Sequence, residues 1–143
     1  DLFIITDFAK APIAESDKNQ YLLEWPAGIG VKESVSFLQK QGEHKKIFVA
    51  TEGTFGLMPY GFEIYLLKNP NIKILGMWPI ENTPPKELIE ASKKMPTYVF
   101  FYQPCPGCKN IGEAPASWGL KKIYQEERGK KGTYATLYQL SSQ

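Results

Sequence analysis

Histidine is nearly absent from this chain: one residue, His44, stands among 143, beside only two cysteines. A structural zinc site needs four ligands, so two cysteines and one distant histidine are a poor supply. The same scarcity removes a Ser/His/Asp arrangement, because His44 lies in a Lys-rich stretch with no nucleophile nearby in sequence. No pair of carboxylates suited to glycoside hydrolysis can be picked out. No run approaches the ~20 apolar residues that span a bilayer, and no secretory signal is visible. Internal repeats and low-complexity stretches are also missing. A formal charge of +2 is too small to imply nucleic-acid binding, which calls for a clustered basic face. Two local clusters, Lys40, His44, Lys45 and Lys46, then Lys121, Lys122, Arg128, Lys130 and Lys131, read as solvated helix ends or loops.

What is present is an ordinary globular balance, 43% hydrophobic and 22% charged. The length fits one domain spanning residues 1–143. A globule of this size buries roughly 68–70% of the surface its unfolded chain exposes, enough for a core without metal or disulfide staples. The sequence opens at Asp1 rather than Met, and the expectation is that an upstream segment precedes it. Leu2-Phe3-Ile4-Ile5 are apolar and read either as the end of a preceding segment or as an edge strand; residues 7–27 have no sustained apolar period, and residues 1–30 together read as an irregular lead-in from an upstream membrane segment.

From Val31 the pattern changes. Val31, Val35 and Leu38 share one helical face, in a helix expected to stop at Gly42. Residues 47–50 form a short buried strand, Thr51-Glu52-Gly53-Thr54 turns the chain, and a helix covers about residues 57–67 with Pro59 in its first turn. A turn at Lys68–Asn71 leads to a strand over residues 72–78, a helix over residues 86–94, and a strand over residues 97–102. The last is apolar on both faces and therefore central. A helix near residues 119–127 and a strand over residues 133–140 complete the series. Alternating strands and helices predict an α/β fold, a three-layer Rossmann-like sandwich with a mainly parallel sheet. The final strand either joins it in parallel or runs antiparallel at one edge.

Four places carry candidate chemistry. Cys105-Pro106-Gly107-Cys108 follows a strand, as in thiol–disulfide oxidoreductases that hold a low-pKa thiolate at a helix N-terminus. Gly112 and Pro115 discourage a helix there, so the plainer reading is a disulfide or thiol pair that stabilises a surface loop. Gly28-Ile29-Gly30 before a helix suggests a dinucleotide turn, but Glu33 stands where a glycine belongs and no strand precedes it; the alternative is a tight helix entry. Thr51, Glu52, Gly53 and Thr54 sit at the carboxyl end of a strand, where open α/β sheets bind ligands. The competing reading is that Thr51 and Thr54 cap the next helix. Asp17, Glu24 and Glu33 surround Tyr21 and Trp25, a carboxylate–aromatic mixture able to hold a sugar or simply to pack.

The stretches Asp17–Tyr21, Trp25–Glu33 and Val49–Tyr60, with the closing Leu137–Leu140, resemble the C-terminal soluble region of bacterial multispanning membrane glycosyltransferases. These are relatives of the protein O-mannosyltransferases, which use polyprenyl-phosphate sugars. The resemblance covers most of the chain. It implies an extracytoplasmic, cofactor-free domain that is not itself catalytic, since the catalytic acid of such enzymes lies in loops between membrane helices. The implied partners are the upstream transmembrane region of the same polypeptide and a glycan or lipid-linked sugar. The ligand-facing candidates would be Asp17, Tyr21, Trp25, Glu33 and Thr51 to Thr54. The pattern has no place for Cys105 and Cys108, but an oxidising compartment permits a disulfide.

Overall fold

A computed structural model describes residues 30–53 and 57–142. Helix α1 spans Val31–His44, strand β1 Ile47–Glu52, helix α2 Leu57–Leu66 and strand β2 Ile72–Met77. Helix α3 covers Lys86–Ser92, followed by β3 at Thr97–Phe101, a 3-10 turn at Ala116–Trp118, β4 at Lys121–Glu127 and β5 at Tyr134–Leu140. The five strands lie in the order β2-β1-β3-β5-β4. β1 pairs in parallel with β2 and β3, whereas β5 pairs antiparallel with both β3 and β4.

The fold is α/β, and its sheet is mixed rather than mainly parallel. The reason lies in the second half of the chain. Lys121–Glu127, expected as a helix, is a strand. A tight turn, closed by Arg128 N–H to Thr133 O at 2.8 Å and Thr133 N–H to Lys130 O at 3.1 Å, returns β4 directly into β5. A hairpin of this kind forces antiparallel pairing, because a parallel partner needs a long crossover. β5 is thus antiparallel as envisaged, but it lies inside the sheet and β4 takes the edge. Charged residues on β4 suggested a helix, and a register shift between Lys122 and Tyr124 hides the strand period. That irregularity lets the adjacent Ile123 and Tyr124 both pack on one face.

Alternation along the strands splits the core in two. Ile47 and Val49 of β1, with Tyr98 and Phe100 of β3, meet Val31, Val35 and Leu38 of α1 and Phe62 and Leu66 of α2. Phe48 and Ala50, with Val99 and Phe101, meet Leu88 and Ala91 of α3 and the buried Trp118. β1 and β3 are buried along their whole length, as expected of strands covered on both faces. Trp118 is fixed by its indole N–H donating to Glu81 O at 2.9 Å and by an edge contact with Phe101.

Helix α1 continues past Gly42 to His44. Gly42 is not a left-handed terminator; it is buried where a Cβ would lie 2.7 Å from Ile72 Cγ1. Its role is to let α1 approach the start of β2, where Asn71 Nδ2 donates to Gly42 O at 2.9 Å.

Candidate functional site

The strand order turns about β1: the chain leaves it through α2 to β2 on one side, and β3 lies on its other side. The carboxyl ends of β1 and β3 therefore flank a topological switch point, the usual ligand crevice of open α/β sheets. The residues at this point are Thr51 and Glu52 at the end of β1, Gly53 just after it, and Tyr102 and Gln103 just beyond β3.

Glu52 is almost fully buried, 1% exposed. Its Oε1 accepts hydrogen bonds from the backbone N–H groups of both Tyr102 and Gln103. The carboxyl group thereby ties the end of β1 to the end of β3 beyond their last paired residues. Burial pushes its pKa up from 4.5 to about 8, against the pull of the two N–H donors and of Arg128. The proton has a place: both donors use one oxygen, so the neutral acid can carry hydrogen on Oε2 and keep the same bonds.

Arg128 follows β4 and is 7% exposed. Its Nη1 donates to Tyr102 O at 2.9 Å, and its guanidinium lies 3.7 Å from the centre of the Tyr102 ring. This arginine, grouped by sequence with solvated lysines, is a core residue. One cation thus touches the ring and carbonyl of a residue whose N–H goes to the buried acid. Contacts of charge with an aromatic face strengthen as water is excluded.

Thr51 is buried in β1 and its hydroxyl has no hydrogen-bond partner. It sits inside the strand and does not cap α2. Gly53 has φ 84°, a left-handed conformation that turns the chain out of β1, and its N–H donates to Met77 O at 2.8 Å. Thr54 lies outside the described residues, as do Asp17, Tyr21, Glu24, Trp25, Gly28 and Ile29. Glu33 is on the exposed first turn of α1, within electrostatic reach of Tyr124, whose hydroxyl is pushed up to about 12 by burial, by its hydrogen bond to Glu126 and by both carboxylates. Gly30 has φ 82° at the start of α1, where an added Cβ would stand 2.6 Å from Ala135 Cβ. That is the tight helix entry.

Cys105 and Cys108 are joined as a disulfide, with Cα atoms 5.4 Å apart. The segment after them is a chain of turns until Ala116, so no helix begins at either cysteine to lower a thiol pKa. The loop is pinned by Gly112 N–H to Gln103 O at 3.1 Å and by Ala114 N–H to the Tyr138 hydroxyl at 3.3 Å. Beside it is a cavity of about 490 Å³ lined in part by Cys108, Lys109, Glu113, Leu120 and Tyr138. Glu113 is committed to neighbours: Asn110 Nδ2 at 2.9 Å, Gln125 Nε2 at 3.0 Å and Lys122 Nζ at 3.5 Å. Burial raises its pKa, but these partners outweigh it and hold the carboxyl below the usual range.

Among the described residues, no group of three or more His, Cys, Asp or Glu side chains is placed to hold a metal ion. None of their helices is long and apolar enough to cross a membrane. Comparison with protein-family models, curated proteins and solved structures gives no match.

Proposed function

We propose that this chain is a non-catalytic recognition domain of a membrane glycosyltransferase that uses lipid-linked sugars, placed outside the cytoplasm to present or position the acceptor. The observation that carries the reading is where the resembling residues fall. Val49 to Glu52 are all buried, and Glu52 ties β1 to β3 at the switch point. A glutamate buried in the sheet and tied to two backbone N–H groups fits the role of organising a scaffold. The β2-β1-β3 half is then a Rossmann-like platform, and the acceptor would be met at its rim. The disulfide supports an oxidising compartment, and the lack of a helix behind it weighs against thiol–disulfide exchange as the main activity.

The test begins with the gene upstream of the Asp1 codon. The reading expects several long apolar segments with acidic residues in the loops between them. The parent enzyme in vesicles, with and without this domain, should then hydrolyse the lipid-linked donor equally but differ in acceptor KM. A lone signal peptide upstream, or sugar transfer by the isolated chain, overturns the proposal.

A second reading, a small-molecule binding module at Thr51 to Thr54, draws on the buried Thr51 hydroxyl without a partner. Thermal-shift measurements with sugar phosphates and nucleotides test it, and no shift at millimolar ligand sinks it.

A further inference from the structure

The two edges of the sheet are chemically unlike. β4 carries Lys121, Lys122, Gln125, Glu126 and Glu127, most of them exposed, and charge of this kind deters strand pairing. β2 reads Ile-Lys-Ile-Leu-Gly-Met. Its single charge, Lys73, is turned back over the molecule, 3.1 Å from Glu87 and 5.3 Å from the centre of the Phe48 ring. Among the described residues, no other charge stands on β2 to guard its open side.

The open side also has donors and acceptors to offer. Asn71 O and Met77 O accept bonds from Ile47 and Gly53 of the β1 side, so alternation aims the N–H and C=O of Ile74 and Gly76 away from β1. Large exposed apolar side chains gather on the same elements: Ile64 (75%), Tyr65 (60%) and Leu67 (76%) on or just past α2, and Trp78 (61%) directly after β2.

We propose that β2 is the dimerisation edge of this protein, pairing antiparallel with β2 of a second copy about a two-fold axis. Self-complementarity selects this partner. A two-fold between antiparallel copies of β2 pairs most of the strand when it centres on Ile74 opposite Ile74 or on Leu75 opposite Leu75. In either register Lys73 falls opposite an apolar residue, Leu75 or Met77, and never opposite its own copy. Each Trp78 falls opposite Pro70 or Ile72 of the other copy, at its α2–β2 turn, the segment that also carries the exposed Leu67. The pairing is closed, because it consumes both β2 edges and, among the described strands, leaves the charged β4 edges outside.

The size of the surface fits a dimer of modest affinity. Ile64, Leu67 and Trp78 offer roughly 400 Å² per copy and the strand edge adds to it, against ~800 Å² per partner for a standard interface. This inference stands apart from the functional reading, which concerns the switch point and the upstream gene.

Sedimentation equilibrium of the full chain across the micromolar range tests it, with Ile74→Pro as the decisive variant. Proline at position 74 removes a donor facing away from β1, which an edge strand tolerates; it also trims the Ile74 contact with the core, so retained folding is checked by circular dichroism, and dimerisation weakens by at least about tenfold. Leu67→Ser with Trp78→Ser, which touches no backbone bond, should weaken it in the same direction. Amide exchange at Ile74 and Gly76 should slow as the dimer forms. A chain that stays monomeric at high micromolar concentration overturns the proposal, and so does a dimer that keeps its affinity in both variants.

Discussion

Replacing Glu52 by glutamine asks whether burial or hydrogen bonding governs the acid at the switch point. Glutamine keeps an oxygen for the N–H groups of Tyr102 and Gln103 and carries no charge. In the native protein the pKa rises from 4.5 to about 8 on folding. The folded state then holds a proton that the unfolded state has released, so stability falls as pH rises between these values. The contribution is fully present below pH 4.5 and is lost as pH passes through about 8. At ~1.36 kcal/mol per pH unit the whole span is worth about 5 kcal/mol at most. Urea unfolding of the native chain and of Glu52→Gln at several pH values cancels the other titrating groups in the difference. The two should be similar near pH 4.5, and the variant should gain steadily up to about pH 8 and level off beyond it. Glu52→Ala, which removes the acceptor of one buried and one half-buried N–H group, should lose roughly 1–3 kcal/mol even at low pH. If the native chain instead gains on the glutamine variant as pH rises, the carboxylate is ionised and the pull of Arg128 and the N–H groups has won.

Arg128→Ala should cost about 1–3 kcal/mol in urea unfolding, because it removes the hydrogen bond to Tyr102 O and the contact with the Tyr102 ring; Arg128→Lys should recover only part of this, since lysine lacks the planar face. Gly112→Ala should cost several kcal/mol and lower Tm, since its φ is 77° and a Cβ would sit 1.7 Å from Tyr134 O. Reducing Cys105–Cys108, or replacing both by serine, should cost about 2 kcal/mol from so short a loop. The oxidised chain should show no disulfide-reductase turnover with insulin, and turnover would revive the redox reading.

Local periodicity carried the first half of the fold. Ile47–Ala50 and Thr97–Phe101 are apolar on both faces, and a strand that does not alternate has to be covered twice. The helix starting at Val31 was legible from its one apolar stripe. The second half failed for two physical reasons. β4 is an edge strand whose charges exist to deter pairing, and charges on an exposed helix look the same in sequence. Its irregularity then removed the period-2 pattern that would have separated the two. Gly42 failed differently: it answers the close approach of α1 to Ile72, a contact across 30 residues that no window along the chain contains.

The switch-point residues were found in part, and the missing half is instructive. Position alone singled out Thr51, Glu52 and Gly53, because a polar triplet at the end of an apolar strand stands out. Arg128 did not, since it sits in a run of Lys, Glu and Gly where a solvated charge is the ordinary expectation. Its burial depends on the β4–β5 turn, and that turn exists only once β4 is a strand. One misjudged element therefore concealed both the antiparallel half of the sheet and the cation at its end. The available signal was Thr133-Tyr134, a β-branched and aromatic pair five residues after Arg128. Such a pair so close behind a charged segment favours a hairpin return over a helix exit, and a hairpin brings its first turn residue back against the central strand.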